Sequence, residues 1–305
     1  MKRMKSGLSN NALTRSATFA SLSVAVTLVV AKVWAWMATS SVSVLSSLVD
    51  SALDVLASAI TFFAVWYALA PADGEHRFGH GKAEGLAAFV QSLIIAGSGV
   101  FVCYEALQRF IHPRPPQEIS VGVIVMLASV LLTLALLTYQ RFVVRQTGSV
   151  AIAADAMHYK TDLAVNLGVA VALPVSAYTN LPIIDPLVGI IIAGYILWGT
   201  WGIARKSLAI LLDHEIGDKH RFKIREIAEQ HPAVRGFHDL RTRSSGSIFF
   251  IQFHLELDPK LSLLGTHKIL DSVEEKIQAA YPNCEIIIHP DPDGLEEERD
   301  SFDVI

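Results

Sequence analysis

Six predominantly apolar runs, at about 16–38, 43–70, 86–111, 119–140, 149–178 and 183–212, take up most of this chain. A helix of roughly 20 residues crosses a hydrocarbon core about 30 Å thick, and each run is long enough. Inside a bilayer the backbone has no water to bond, so such runs must close their amide hydrogen bonds internally, as helices. The composition agrees. Of 305 residues, 52% are hydrophobic and 18% charged, and the mean hydropathy is +0.42, too apolar for an ordinary soluble domain. The sequence therefore predicts an α-helical polytopic membrane protein, with six transmembrane helices over 16–212 and the lipid bilayer as its first partner.

Its orientation follows from the basic residues. Lys2, Arg3, Lys5, Arg15, Arg77, Lys82, Arg141, Arg145, Arg205 and Lys206 fall on one side of that topology, against Arg109 and Arg114 on the other. The excess marks the cytoplasmic side and places both termini there. Residues 1–15 are basic and lack a small-residue cleavage site after a short apolar core, which reads as a cytoplasmic tail and not a signal peptide. The net charge of −4 identifies no partner, and no feature points to nucleic acid. Small residues are dense in the runs (Ser46, Ser47, Ser51, Ala52; Gly97, Ser98, Gly99; Ala151, Ala153, Ala154) and permit close helix packing.

Two of the runs carry carboxylates. Asp50 and Asp54 sit inside the second, and an Asp at a helix centre costs about 2.5–3.5 kcal/mol on an insertion scale, so the pair needs a partner or a purpose. Their i, i+4 spacing puts both on one helix face. The fifth run repeats the pattern with His158 and Asp162. If the two helices are antiparallel, both pairs lie roughly 13–20 Å from the start of their helices, astride the midplane. Four ligand-type side chains then make one tetrahedral site. The two cysteines, Cys103 and Cys284, support neither a disulfide framework nor a thiolate cluster, so any metal is held by nitrogen and oxygen.

The loop from Pro71 to Lys82 packs Asp73, His76 and His80 among three glycines. It suits a labile nitrogen/oxygen metal site, or else a polar turn with solvated histidines. From Asp213 to Asp291 the chain reads as a small soluble domain. An amphipathic helix (Lys219–Gln230, with Phe222, Ile224, Ile227 and Ala228) precedes strands at 236–242 and 248–257 around a Ser/Gly turn. A helix over 262–280, with Leu264, Ile269, Val273 and Ile277 on one side, leads to a last strand at 284–289. The order is αββαβ, a small α+β sandwich. His238, His254, His289 and Asp291 form a candidate cluster across its three strands, with His267 on the helix as a further candidate. The acidic tail, 292–305, has the composition of a disordered segment.

These segments together resemble one family. Ser47-Leu-Val-Asp-Ser-Ala-Leu-Asp54, Asp73-Gly-Glu-His-Arg-Phe-Gly-His-Gly-Lys-Ala-Glu84 and Ala154-Asp-Ala-Met-His-Tyr-Lys-Thr-Asp162 match it in the helical part. His238-Asp-Leu-Arg-Thr-Arg243, Phe250-Ile-Gln-Phe-His-Leu-Glu-Leu-Asp258 and Ile286-Ile-Ile-His-Pro-Asp291 match it after that. From about Thr14 to Asp291 the chain is similar to the cation diffusion facilitators, specifically the bacterial zinc and ferrous-iron efflux pumps. The resemblance implies a Y-shaped homodimer of six-helix protomers in the bacterial inner membrane, each with a metallochaperone-like cytoplasmic domain. It implies that Asp50, Asp54, His158 and Asp162 form the transport site, and Asp73, His76 and His80 a loop site. His238, His254, His289 and Asp291 would hold two structural metals at the dimer interface. Lys82 and Asp213 match a charge pair that locks the helix bundles at the dimer contact. The acidic end beyond Asp291 has no counterpart in that pattern.

Three carboxylates and one imidazole suit Zn²⁺ or Cd²⁺, and their hardness also admits Fe²⁺, Co²⁺ or Mn²⁺. Ligands shed protons to bind metal, so the expected activity is metal/proton antiport out of the cytoplasm by alternating access, with no catalytic cofactor. An intramembrane zinc hydrolase would need an open coordination position, which four protein ligands do not leave. A membrane metal sensor without transport would give no reason for the midplane quartet.

Overall fold

The structure, a computed structural model, describes residues 2–39, 42–111, 123–179 and 183–294. The chain divides into two compact units, Leu8–Leu208 and Met1–Gly7 with Ala209–Ile305, so that the first residues of α1 and the last of α6 are grouped with the second.

The first unit is helical. Its elements are α1 (Lys2–Thr39), α2 (Val42–Ala68), α3 (Lys82–Ile111), α4 (Val123–Thr147), α5 (Val150–Thr179) and α6 (Ile184–Leu211). Among the described residues, four helices hold stretches long and apolar enough to cross a membrane: Asn10–Met37, Ser51–Ala68, Lys82–Gln108 and Pro186–Leu211. α1 begins at Lys2, so the basic N-terminal segment continues the first helix.

Burial in this unit runs opposite to the soluble rule. Phe19, Trp34, Phe63, Phe101, Trp198 and Trp201 face outward, while Ser21, Ser58, Thr61, Gln91, Gln140 and Asp155 are buried. Apolar surface outside and polar groups inside is what a lipid solvent selects. α5 packs against α2, α3 and α4 and is the centre of the unit. Close approach to α6 depends on glycine: a Cβ at Gly168 would meet Ile192 at 2.1 Å, and one at Gly199 would meet Met157 at 2.4 Å. The carboxylate of Glu84, in the first turn of α3, accepts from the Ala151 amide at 3.5 Å. The contact ties the start of α5 to the start of α3.

The second unit contains α7 (Asp218–Glu229), β1 (Gly236–Ser245), β2 (Ile248–Leu257), α8 (Leu263–Ala280) and β3 (Cys284–Pro292). The observed order is αββαβ, and the sheet runs β1-β2-β3. β1 and β2 are antiparallel, joined by Gly246 and Ser247, with Gly246 at φ +59°. A glycine at the first position of a two-residue loop suits the type II′ turn, whose twist matches the strands. β3 is parallel to β2 and is reached through α8. It passes through Pro290 and Pro292, which an edge strand tolerates.

Ile224, Ile227 and Ala228 of α7 and Val273 and Ile277 of α8 pack on Ile251, Phe253 and Leu255 of β2. Since His254 alternates with Phe253 and Leu255, it stands on the opposite, uncovered face of the sheet. Two apolar residues placed by sequence on the packed sides of the helices are instead exposed, Phe222 at 53% and Leu264 at 64%. At about 100° per residue, Phe222 is roughly 200° from Ile224, and Leu264 stands on the far side of α8 from Val273. Leu270 takes the place against the core that the pattern gave to Leu264.

Candidate metal centres

In the helical unit, α2 and α5 bring Asp54, His158 and Asp162 together, with ligand atoms all within 4.8 Å of one another. His158 Nε2 lies 3.1 Å from Asp54 Oδ1 and 3.7 Å from Asp162 Oδ2. The His158 side chain is 9% exposed and that of Asp162 39%. Residues advance along α2 as they retreat along α5: Asp54 pairs with His158, and Thr61 joins Asp155 through Gln91. The helices are therefore antiparallel, the arrangement under which the two pairs can meet. Asp50, the fourth residue expected here, is one turn before Asp54 on α2. Its side chain lies outside the described residues.

One turn before His158 on α5, Asp155 is 1% exposed. Its carboxylate accepts from Ser21 Oγ of α1 at 2.5 Å, from Gln140 Nε2 of α4 at 2.6 Å and from Gln91 Nε2 of α3 at 3.3 Å. The Tyr159 hydroxyl, 2.9 Å from Ser58 Oγ of α2, brings the second helix into the same network. Five helices thus meet at hydrogen bonds around the turn that carries His158. Sequence reasoning assigns Asp155 no role, although a second acidic residue in the fifth apolar run is signal enough to seek one. Interhelical hydrogen bonds in membranes average about 0.6 kcal/mol and reach about 1.7, so three to one group come to roughly 2–5 kcal/mol. Asp155→Ala is expected to lower the thermal stability of the detergent-solubilised protein by that amount. Asp155→Asn, which keeps the shape and part of the bonding, should cost less. An unchanged melting temperature for the alanine variant would reject the hub.

In the loop between α2 and α3, Asp73, His76 and His80 have ligand atoms within 4.8 Å of one another. Asp73 Oδ1 accepts from the amides of Glu75 at 3.0 Å and His76 at 2.6 Å and lies 3.2 Å from His76 Nδ1; Oδ2 lies 3.2 Å from His80 Nε2. His80 packs on the Tyr67 ring at 4.4 Å, and its Nδ1 is buried with no hydrogen-bond partner, while Nε2 is the ring nitrogen turned to Asp73. Gly79, at φ +75°, turns the chain so that His80 folds back. The His76 amide holds the Asp73 carboxyl below its ordinary value. A carboxyl so depressed supports its turn at every pH above the unfolded value, about 3.9, and loses that support only as pH falls through the lower folded value. A ¹³C titration of the Asp73 carboxyl should therefore have its midpoint below about 3.9. A midpoint above that would contradict the turn.

On the uncovered face of the sheet, His238, His254 and His289 are direct neighbours in register, one on each strand. Their rings are 5.1 Å and 4.7 Å apart. Asp291 touches all three: Oδ2 is 2.8 Å from His254 Nδ1 and 3.2 Å from His238 Nε2, and Oδ1 is 3.2 Å from His289 Nε2. Ligands 2.0–2.2 Å from a tetrahedral zinc stand roughly 3.3–3.6 Å apart, so this donor set fits such an ion with small adjustments. His238 Nδ1, buried and without a hydrogen bond, lies 3.5 Å from Glu256 Oε1, on the side from which a carboxylate can orient a metal-binding imidazole. Gly236 makes room for it, since a Cβ there would meet the Glu256 carboxylate at 2.4 Å.

After His238 the register shifts, and Asp239 stands at φ +50°. This bulge brings Asp239 within ligand distance of His238 and His254, a candidate that strand alternation alone does not reveal. His267 sits apart on α8, 66% exposed, with Nε2 3.5 Å from Asp271. Lys82 opens α3 in the helical unit, and Asp213 belongs to the second unit, where Arg243 Nη1 is 3.4 Å from its carboxylate.

The sequence matches two family profiles in succession: the cation efflux transmembrane domain over residues 18–212, and the cation efflux protein cytoplasmic domain over residues 216–293. It is 43% identical to the cation-efflux pump FieF of Shewanella oneidensis over 280 residues, covering 92% of this chain and 94% of that one. The FieF pump of Klebsiella pneumoniae is likewise 43% identical, over 93% of this chain and 94% of that one. Protein p34 of Rickettsia prowazekii is 39% identical over 95% of this chain and 96% of that one. With a profile match across well over half its length and relatives this similar from end to end, the chain is a multi-pass membrane protein that belongs to the cation efflux family.

Proposed function

We propose that this protein exports Zn²⁺, with Cd²⁺ and Fe²⁺ as alternative cargo, from the cytoplasm in exchange for protons. It works as a homodimer in the bacterial inner membrane, with six spans per protomer and both termini cytoplasmic. The observation that carries this reading is the meeting of Asp54, His158 and Asp162 in the helical unit, with His158 Nε2 3.1 Å from a carboxylate oxygen. With Asp50 they make a four-ligand site for the cargo.

The exchange follows from the donor set. The Nε2 lone pair of His158 can hold a proton against Asp54 or bind the metal, but not both. A cytoplasm-facing site takes up metal and sheds protons; an outward-facing site meets the higher proton concentration and gives the metal up. Imidazole favours zinc over the harder manganese ion, while the carboxylates keep ferrous iron within range. Asp73, His76 and His80 form a loop site on the cytoplasmic side. His238, His254, His289 and Asp291 would hold structural zinc where the two cytoplasmic domains meet, with Lys82 and Asp213 pairing at the dimer contact. Bound there, the ion would supply the positive charge that lets clustered carboxylates and imidazoles of two subunits approach.

Uptake of Zn²⁺, Cd²⁺, Fe²⁺ and Mn²⁺ by inside-out vesicles tests this. Zinc should enter fastest when the vesicle interior is acidic, and manganese slowest. Zinc entry indifferent to the gradient would reject the exchange.

A further inference from the structure

The buried face of α1 is marked by Thr14, Thr18, Ser21, Ala25 and Leu28, spaced by three and four, with Ala17 and Ala35 on the same face. Lys32 falls on that same face, four residues after Leu28 and three before Ala35. A lysine near a helix end can lay its stem along the bilayer and reach water. This one turns inward: Nζ donates to Ser51 Oγ of α2 at 2.6 Å, and Ser51 is 1% exposed.

The geometry of the helix pair explains how it gets there. Ser21 and Ser58, 3.1 Å apart, mark a level shared by α1 and α2. From Ser21 to Lys32 the helix rises about 16 Å, and from Ser58 back to Ser51 about 10 Å. The difference of roughly 6 Å is the length of a lysine side chain, which on a helix leans toward the N-terminus. The ammonium therefore comes down to the level of Ser51, on the α2 face that also carries Asp54 one turn on. Asp54 in turn lies 3.1 Å from His158.

Resting on the assignment of Asp54, His158 and Asp162 as the transport site, we propose that Lys32 is a tethered cation of that site. While no divalent ion is bound, its charge offsets the clustered carboxylates. Once an ion is bound, the same charge repels it and hastens its release. Lys32 thus trades affinity for turnover. It touches neither cargo nor proton; it acts through the field at the carboxylates.

The test is zinc affinity in the purified full-length protein, measured by calorimetry in a background carrying Asp291→Ala and His76→Ala, so that binding reports the membrane site. Lys32→Gln and Lys32→Met remove the charge; Lys32→Arg keeps it. Both neutral variants should bind zinc about 10- to 100-fold more tightly than the background and release it more slowly in single-turnover efflux, with Lys32→Arg close to the background. A lysine that only braces α1 against α2 would, when replaced, weaken binding or leave it alone, and either result in the neutral variants overturns the proposal. Using two neutral side chains of different polarity covers the failure of one to fold. Asp54→Ala in the same background separates the two levels of the reading. If it leaves zinc binding intact, the transport-site assignment itself fails; if it abolishes binding while Lys32→Gln and Lys32→Met change nothing, only the tethered cation fails.

Discussion

Asp54→Ala and Asp162→Ala are each expected to abolish zinc transport while leaving a folded protein. Loss of a group that merely orients a ligand costs 10–100-fold in metal affinity, so loss of the ligand itself should cost about 100-fold or more. Folding should survive because neither side chain is deeply packed: Asp54 is 18% and Asp162 39% exposed. This separates them from Asp155, whose carboxylate sits among three donors from three other helices. Size-exclusion behaviour and melting temperature like wild type, with zinc flux at the level of empty vesicles, is the expected combination. Normal flux in either variant would sink the assignment of the membrane site.

In the second unit the largest effect belongs to Asp291→Ala. Asp291 is the side chain that touches His238, His254 and His289 together, and it is 7% exposed. Without it the three imidazoles keep their in-register places but lose the carboxylate that would bring a zinc ion among them. We expect zinc affinity at this cluster to fall about 100-fold or more, and the stabilisation that bound zinc confers, about 2.7 kcal/mol at a hundred times the dissociation constant, to vanish. Stoichiometry and zinc-dependent melting, measured with Asp54→Ala also present to silence the membrane site, give the answer. Transport with Asp54 intact should fall only in part. Unchanged zinc stoichiometry would remove Asp291 from the cluster.

Much of the architecture could be read in advance because bilayer-length apolar runs leave the backbone one solution, and because period-two alternation marks β2 without ambiguity. The pairing of α2 with α5 was legible for a related reason: charged groups in apolar runs have few places to go. Other features depend on distances that no periodicity encodes. The alignment of His238, His254 and His289 is a matter of strand register, and the bulge at Asp239 requires a left-handed backbone at a residue that is not glycine. Phe222 and Leu264 fit the apolar pattern of their helices yet stand outside the core, because a short amphipathic helix can be phased in more than one way and only the sheet it packs on decides. Asp155 and Lys32 were in plain view as charges in apolar runs. Their partners Ser21, Gln91, Gln140 and Ser51 are residues of the kind that also serve as ordinary packing, so spacing alone could not single them out.

The most direct test of the exchange at Asp54, His158 and Asp162 is to record zinc and proton movement together, with a fluorescent reporter of each inside proteoliposomes containing the purified protein. A zinc gradient imposed without any pH gradient should drive protons in the opposite direction, in fixed ratio to the zinc carried, and Asp54→Ala should silence both signals at once. Zinc entering while the internal pH stays constant would contradict the account.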